Sequence, residues 1–199
     1  LWMLSRRAGM GSSSLLLAGV LLGFFGSSLV ALVMALSPSG GVTQALVWLL
    51  GDLSRASPSG AMASLGVGVV LTAWVWRRHP ELDTLLLGER SARSVGVSVD
   101  ALRGELLVVS ALLVAWAVSL SGMIGFVGLM VPHAVRSWQG ASHRKVLPLS
   151  FLLGGLVLVL AALAGRLLFS PREVPVGVLT ALIGVPAYGF WAFRGPRRA

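Results

Sequence analysis

The sequence of 199 residues has a mean hydropathy of +0.87, with 56% hydrophobic and 12% charged residues. A soluble domain carries about a quarter of its residues as charges, so this composition excludes an ordinary soluble domain and indicates a protein embedded in lipid. The absence of cysteine excludes disulfides and thiolate metal sites. The net charge is +9, but the basic residues lie between apolar blocks rather than on one face that could bind nucleic acid.

Apolar stretches without charge predict the helices, because a membrane span takes about 17 to 25 residues. The first predicted span covers residues 11–36, and residues 42–50 form a helix that is too short to cross and lies on the surface or re-enters the membrane. The remaining uncharged stretches cover residues 59–76, 106–131, 146–165 and 174–193. We therefore predict an all-α transmembrane helical bundle that forms a single membrane domain over residues 1–199.

The stretch 106–131 is predicted to break near its middle. It contains three glycines at three-residue intervals and is followed by a proline, and both residue types interrupt helices. These residues are Gly122, Gly125, Gly128 and Pro132. We expect a full span to about Ser121 and a short returning helix at about 126–136, which brings the number of membrane segments to six.

The positions of lysine and arginine support this break. With six segments, residues 1–9, 77–105, 136–145 and 194–199 share one side of the membrane and hold 13 of the 16 basic residues. An unbroken helix would divide the basic residues almost equally between the two sides. Because basic loops tend to remain in the cytoplasm, we predict that these four regions, including both termini, are cytoplasmic.

The segment 121–136 reads Ser-Gly-Met-Ile-Gly-Phe-Val-Gly-Leu-Met-Val-Pro-His-Ala-Val-Arg. Its glycines either line one strip of a tightly packed helix or permit an abrupt re-entry. The segment resembles the signature of the permeases that import vitamin B12, iron–siderophores and haem, a family of ATP-binding-cassette importers. Every fixed position of that signature is present, and these positions include Gly122, Gly125, Phe126, Gly128, Pro132, His133 and Arg136.

Residues 87–97, Leu-Gly-Glu-Arg-Ser-Ala-Arg-Ser-Val-Gly-Val, resemble the cytoplasmic coupling segment of the same family. Their glycines predict two short helices joined by a tight turn, and the spacing of Glu89 and Arg93 allows an i,i+4 ion pair. Taken without the family, the loop 77–105 with its mixed charge favours a solvated connector. The resemblance implies instead that the loop seats on an ATPase subunit through Leu87, Gly88, Glu89, Arg90, Ala92, Arg93 and Gly96.

Residues 173–186 resemble the entry to the last helix of the family, so the resemblance runs from about residue 12 to residue 194. Family members typically have ten membrane helices, and we expect this chain to be the C-terminal portion of a longer domain. The resemblance implies a membrane subunit of an importer for iron–siderophore, haem or vitamin B12-like substrates in the bacterial cytoplasmic membrane. The implied partners are a second permease copy, two ATPase subunits, an extracytoplasmic substrate-binding protein and lipid, but no nucleic acid.

ATP hydrolysis is not expected in this chain, because its only lysine is Lys145 and no G-x-x-x-x-G-K-[ST] loop is present. We expect no metal or cofactor here, with ATP and Mg²⁺ bound by the partner ATPase. An ion-driven secondary transporter or channel is an alternative, but it favours acidic residues inside the membrane, and the six segments contain none. An intramembrane hydrolase is a remote alternative, because it needs a nucleophile facing a base and no G-x-S-x-G motif occurs.

Arg166 lies near the end of a predicted span. It either snorkels to water or, as the resemblance implies, receives acidic residues of the substrate-binding protein together with Arg172. The family usually has an aspartate where this chain has Ala162, so an ion pair normally made by that aspartate is absent.

Two further polar groups have competing interpretations. Ser12, Ser13 and Ser14 either cap the first span or, as in the family, form part of a cytoplasmic gate. For His133 we favour a hydrogen bond at a helix end over a metal or proton-relay role, because the histidines have no ligand spacing among them.

Overall fold

The computed structural model describes residues 12–37, 39–54, 57–169 and 174–194. Within these ranges all regular secondary structure is helical, which confirms the predicted all-α class. The helices are α1 (Ser12–Leu36), α2 (Ser39–Leu49), α3 (Pro58–Arg77), α4 (His79–Leu85), α5 (Glu89–Ser94), α6 (Val99–Ser121), α7 (Val127–Gln139), α8 (His143–Leu168) and α9 (Val176–Arg194).

Among the residues that the structure describes, four helices are long and apolar enough to cross a membrane. They correspond to Gly19–Leu36 within α1 and to all of α3, α6 and α8, while a shorter apolar stretch, Val176–Gly189, lies in α9. A span needs roughly 20 residues, and α7 has 13. The chain is therefore a multi-pass membrane protein, and the predicted number of six membrane segments stays a prediction.

The predicted break in the stretch 106–131 is confirmed, since α6 ends at Ser121 and α7 begins at Val127. Two residues with positive φ lie at the two ends of this break. Gly122 has φ +69° and donates its N–H to the Val118 carbonyl at 2.9 Å. Phe126 has φ +65°, the only such value at a non-glycine residue in the described ranges. Its carbonyl accepts the N–H groups of Leu129 and Met130 in the first turn of α7.

Pro132 was counted among the residues that cause the break, and this was wrong. It lies inside α7, several residues beyond the break. Pro132 is the sixth residue of α7, where a proline removes one intrahelical hydrogen bond without ending the helix. The positive φ values at the break lie at Gly122 and Phe126, not at Pro132.

The chain divides into two compact units, residues 1–46 and 47–199. The second unit contains a small core in which Val131 and Val135 of α7 pack with Val146 near the start of α8. Four partly buried residues surround this core, namely Val127, Leu149, Leu153 and Val157. No other pair of helices packs as extensively as α7 and α8 in the described residues.

Candidate functional site

Residues 78–98, here called the connecting segment, lie between the spans α3 and α6 and contain α4 and α5. Gly88 has φ +104° and donates its N–H to the Leu85 carbonyl at 3.1 Å, which turns the chain between the two helices. Gly96 has φ +88° and donates to the Arg93 carbonyl at 3.1 Å after α5 ends. The two short helices and the tight turn predicted from the glycines are confirmed.

Arg78 joins the connecting segment to both neighbouring spans. Its guanidinium contacts Glu81 of α4 at 2.9 Å and Glu105 of α6 at 2.9 Å, and it lies 5.7 Å from the centre of the Trp74 ring of α3. The hydrogen bond that Arg78 donates to Glu81, followed by the charges of Glu81 and Glu105, raises the pKa of Arg78 above its ordinary value. The guanidinium therefore stays charged and holds α3, α4 and α6 together.

Two further ion pairs attach α5 to the start of α6. Arg93 pairs with Asp100 at 3.2 Å, and Glu89 pairs with Arg103. The predicted i,i+4 pair of Glu89 with Arg93 was therefore wrong. Asp100 and Arg103 are three positions apart and so share a face of α6, which offers both residues of the short helix α5 a partner on a neighbouring helix.

Asp83 of α4 binds the start of α8. Its Oδ1 accepts the backbone N–H of His143 at 2.7 Å and lies 2.8 Å from the Nδ1 of His143, while its Oδ2 accepts the Ser142 hydroxyl at 2.8 Å. All five acidic residues of 77–105 consequently have partners within this chain. Sequence reasoning missed the contact with His143, and no local spacing indicates it.

The acidic residues pair with other residues of this chain, but three large apolar side chains of the connecting segment remain exposed. Leu86, Leu87 and Val95 are exposed by 52%, 76% and 67%. Arg90 is also exposed and makes no ion pair within the part of the chain that the structure describes. We call Leu86, Leu87, Arg90 and Val95 the docking surface, because exposed apolar side chains and a charge without an ion pair in one segment are typical of an interaction site.

Ala92 is not part of this surface. Its side chain is completely buried, and Val99 and Leu102 at the start of α6 are also buried. Its N–H donates to the Gly88 carbonyl at 3.1 Å, and its carbonyl accepts the Val97 N–H at 3.0 Å. The resemblance placed Ala92 among the residues that seat on the ATPase, but its side chain faces the interior of the chain and contributes to the shape of the segment rather than to its exposed surface.

The signature residues 122–136 do not form one site. Phe126 packs on α9, where a Cβ added at Gly184 would lie 2.5 Å from the Phe126 Cβ. His133 makes an edge-on contact with Tyr188 of α9, with 6.2 Å between the ring centres. His133 lies in the middle of α7, so its predicted place at a helix end was wrong.

Three glycines bring separate parts of the chain into backbone contact. A Cβ at Gly122 would collide with the carbonyl oxygen of Trp48, and one at Gly177 would collide with that of Leu50. At Gly51, which has φ +81°, a Cβ would lie 2.8 Å from the Met123 carbonyl oxygen. Three helix ends therefore meet at Gly51, Gly122 and Gly177, namely the end of α2, the end of α6 and the start of α9. The sequence contains these glycines but does not indicate that they lie together.

A cavity of about 150 Å³ lies beside this junction. Its wall includes Arg166, which is predicted to contact the substrate-binding protein. Ala162, one helical turn earlier on α8, lines the same cavity. An aspartate at this position would therefore lie beside Arg166 in the wall. The other lining residues are Val47, Asp52, Leu53, Ser54, Val174, Pro175 and Val176.

Several predicted site residues fall outside what the structure describes. Arg172 lies outside the described ranges, and the side chains of Ser12, Ser13 and Ser14 are not described although their backbone begins α1. The described residues include no cluster of three His, Asp or Glu side chains that could hold a metal ion. The assignment of the three serines to a cytoplasmic gate and the assignment of Arg166 and Arg172 to contact with the substrate-binding protein stay predictions.

Residues 1–194 match the model of the FecCD transport family. The chain is 38% identical over 185 residues to the vitamin B12 import system permease protein BtuC of Vibrio cholerae, which covers 93% of this chain and 56% of that protein. It is 38% identical over 172 residues to the Fe(3+) dicitrate transport system permease protein FecD of Escherichia coli, with 86% and 54% covered.

A solved structure of a metal-chelate type ABC transporter in an inward-facing conformation is also similar. It has a TM-score of 0.89 and 30% sequence identity, and the match covers 97% of this chain and 62% of that one. The chain spans about half the length of the two permeases it matches. These names agree with an importer permease rather than with an ion-driven transporter or a hydrolase.

Proposed function

Because the chain belongs to the FecCD transport family, we propose that it is a membrane-spanning permease subunit of an ATP-driven importer. Relatives that import vitamin B12 and ferric dicitrate support iron–siderophores, haem or vitamin B12-like molecules as its substrates. The structural observation that carries the proposal is the docking surface on the folded connecting segment. The subunit itself contributes the pathway through the membrane and carries out no covalent chemistry.

The connecting segment couples the membrane helices to a separate ATPase subunit, which binds ATP and Mg²⁺. Ion pairs between its side chains and the neighbouring helices fix α4 and α5 against α3, α6 and α8. A segment held in this way presents a preformed surface, so little conformational entropy is lost when it binds. Three large apolar side chains, Leu86, Leu87 and Val95, are exposed within this one segment, which a solvated connector does not require.

The chemistry of the docking surface indicates what it contacts. Leu86, Leu87 and Val95 require an apolar groove, and Arg90 requires an acidic residue at its rim, since complementary charges orient a complex and suppress wrong partners. The matching ATPase groove should therefore be apolar with a carboxylate close to Arg90.

The complete transporter contains two permease copies, two ATPase subunits and an extracytoplasmic substrate-binding protein. ATP binding drives alternating access because it changes the relative stability of the inward-open and outward-open states. In this arrangement the connecting segment and the C-terminus are cytoplasmic, and the protein resides in the bacterial cytoplasmic membrane. Arg166 and Arg172 receive the binding protein on the opposite side, and Ser12, Ser13 and Ser14 contribute to the cytoplasmic gate.

Charge reversal on the docking surface tests this proposal. In the assembled importer, Arg90→Glu should reduce co-purification of the ATPase by about tenfold or more, because it places like charges together at an interface. Arg144→Glu is the matched control, since Arg144 is exposed but lies at the start of α8 outside the docking surface. Equal loss of the ATPase in both variants, or in neither, would show that the docking surface does not hold the ATPase.

A further inference from the structure

The first backbone N–H groups of a helix need acceptors from outside the helix. One acceptor for α8 comes from a side chain of another helix, α4. Ser142 occupies the N-cap position of α8, but the Ser142 side chain forms no capping hydrogen bond. The hydroxyl donates instead to Asp83, whose carboxylate also accepts the His143 N–H. The cap of α8 is thus supplied by α4, a helix of the connecting segment.

A second hydrogen bond links the same two regions. The indole Nε1 of Trp76, at the end of α3, donates to the carbonyl of Arg144 at 2.9 Å. The Trp76 ring stacks on His79 of α4 with 5.4 Å between the ring centres. The start of α8 is therefore held from two sides, by the end of α3 and by α4.

The contacts continue from α8 to the helix that carries the signature sequence. Val146 lies three residues after His143 and packs with Val131 and Val135 of α7 in the buried core. A displacement of the start of α8 must move these side chains, because close-packed cores transmit displacement rather than absorb it.

We propose that Asp83 is a positioning residue for coupling, through which movement of the connecting segment is passed to α8 and from there to α7. This role rests on the proposed function, because it requires that an ATPase moves the connecting segment. Asp83 itself lies outside the docking surface. It acts by making α4 and the start of α8 move together.

Three variants separate this linkage from simple stabilisation of α8. Asp83→Ala removes both the cap and the link. Asp83→Asn preserves an oxygen for the His143 N–H, and asparagine caps helices about as well as aspartate. The double variant Asp83→Ala with Ser142→Asp gives α8 a cap from its own N-cap position but leaves α4 unlinked.

The variants are measured in the assembled importer by ATPase co-purification, ATP hydrolysis, thermal unfolding and substrate uptake per ATP hydrolysed. We expect Asp83→Ala to retain the ATPase and its hydrolysis while uptake per ATP falls about tenfold, within the usual range of coupling between sites. Asp83→Asn should stay within about twofold of wild type, since the cap is kept. The double variant should regain thermal stability without regaining uptake.

Recovery of uptake in the double variant would overturn the proposal, because Asp83 would then act only through the stability of α8. Wild-type uptake in Asp83→Ala, or release of the ATPase by that variant, would also overturn it. Asp100→Ala is the control, since this carboxylate pairs within the region and does not contact α8. Arg90→Glu, measured in parallel, reports separately on the proposed function, because it tests whether the docking surface holds the ATPase at all.

Discussion

The Asp83 carboxylate accepts the backbone N–H of His143 at 2.7 Å, across 60 positions of the sequence. The side chain is only partly buried, with 30% of its surface exposed. Aspartate is among the best residues for capping a helix, and its negative charge also interacts favourably with the positive end of the α8 dipole. One carboxylate therefore stabilises a membrane-spanning helix and fixes the connecting segment to it.

The first prediction concerns acid stability. Burial alone would raise the pKa of Asp83, but hydrogen bonds from the His143 N–H, the Ser142 hydroxyl and the His143 ring outweigh it and lower the pKa below its ordinary value of 3.8. A carboxyl with a lower pKa in the folded chain stabilises that chain above the unfolded-state pKa, and this stabilisation is lost as the pH falls through the folded-state pKa.

At neutral pH we therefore expect the wild type to unfold at a higher temperature than Asp83→Asn. The difference should shrink as the pH is lowered through and below 3.8, the ordinary pKa. Thermal unfolding in detergent measures both proteins. Asp100→Asn should differ little from wild type at neutral pH, because exposed ion pairs contribute little. A difference between wild type and Asp83→Asn that persists unchanged in acid would show that the charge of Asp83 is not responsible.

The second prediction concerns the glycine junction. Gly122→Ala should destabilise the protein by about 2–4 kcal/mol, because it adds the strain of a positive φ to a collision with the Trp48 carbonyl. Gly128→Ala is the matched control, since an added Cβ there meets nothing within 4 Å and alanine favours the helix by about 1 kcal/mol. Thermal unfolding and the yield of monodisperse protein provide the measurement. Similar losses in both variants would contradict a special role for Gly122.

How much of this structure the sequence predicts depends on the range of the interactions involved. Uncharged stretches located the spans, and Gly122 indicated the end of α6, because hydrophobicity and backbone conformation act locally. The ends of the spans were less predictable, since α6 begins at Val99 and continues through Arg103 and Glu105, which α5 and Arg78 neutralise.

Interactions between distant residues were not predictable from spacing. Glu89 and Arg93 are close enough in sequence to pair, but both have partners on α6. Ala92 has the same small side chain whether it is buried or faces a partner protein, so its identity gave no indication of its burial. Asp83 and His143 lie in two different predicted loops, 77–105 and 136–145, and only the folded chain brings them together.

The third prediction concerns the contact between Phe126 and α9. Gly184→Ala should cost about 1–3 kcal/mol, the usual effect of overpacking, because the new Cβ would lie 2.5 Å from the Phe126 Cβ. Phe126→Gly removes the opposing atoms and also relieves the positive φ at that position. The double variant should therefore be more stable than the sum of the two single effects predicts, as measured in a double-mutant cycle. Simple additivity would show that the two positions do not interact.

The fourth prediction concerns membrane topology. Because the sequence contains no cysteine, single cysteines can be labelled with a membrane-impermeant reagent in intact cells. Cysteines at positions 55 and 172, which lie outside the described residues, should react from outside. Cysteines at positions 90 and 144 should react only after the membrane is permeabilised. Labelling of position 144 in intact cells would rule out a cytoplasmic loop between α7 and α8.

The last prediction separates the interior of the connecting segment from its docking surface. Ala92 is completely buried, so Ala92→Trp must displace the surrounding residues, which we expect to cost about 1–3 kcal/mol or more. The segment should then lose its local structure and become sensitive to cleavage after its exposed arginines. Ala92→Ser adds one small atom and should leave the segment resistant.

Limited proteolysis with an arginine-specific protease, combined with ATPase co-purification, distinguishes the two kinds of damage. Arg90→Glu should lose the ATPase while the rest of the segment stays resistant to cleavage, because the substituted side chain is exposed. Ala92→Trp should lose the ATPase together with that resistance. If Ala92→Trp retained a resistant segment and a bound ATPase, the burial of Ala92 would not be needed for the shape that the docking surface requires.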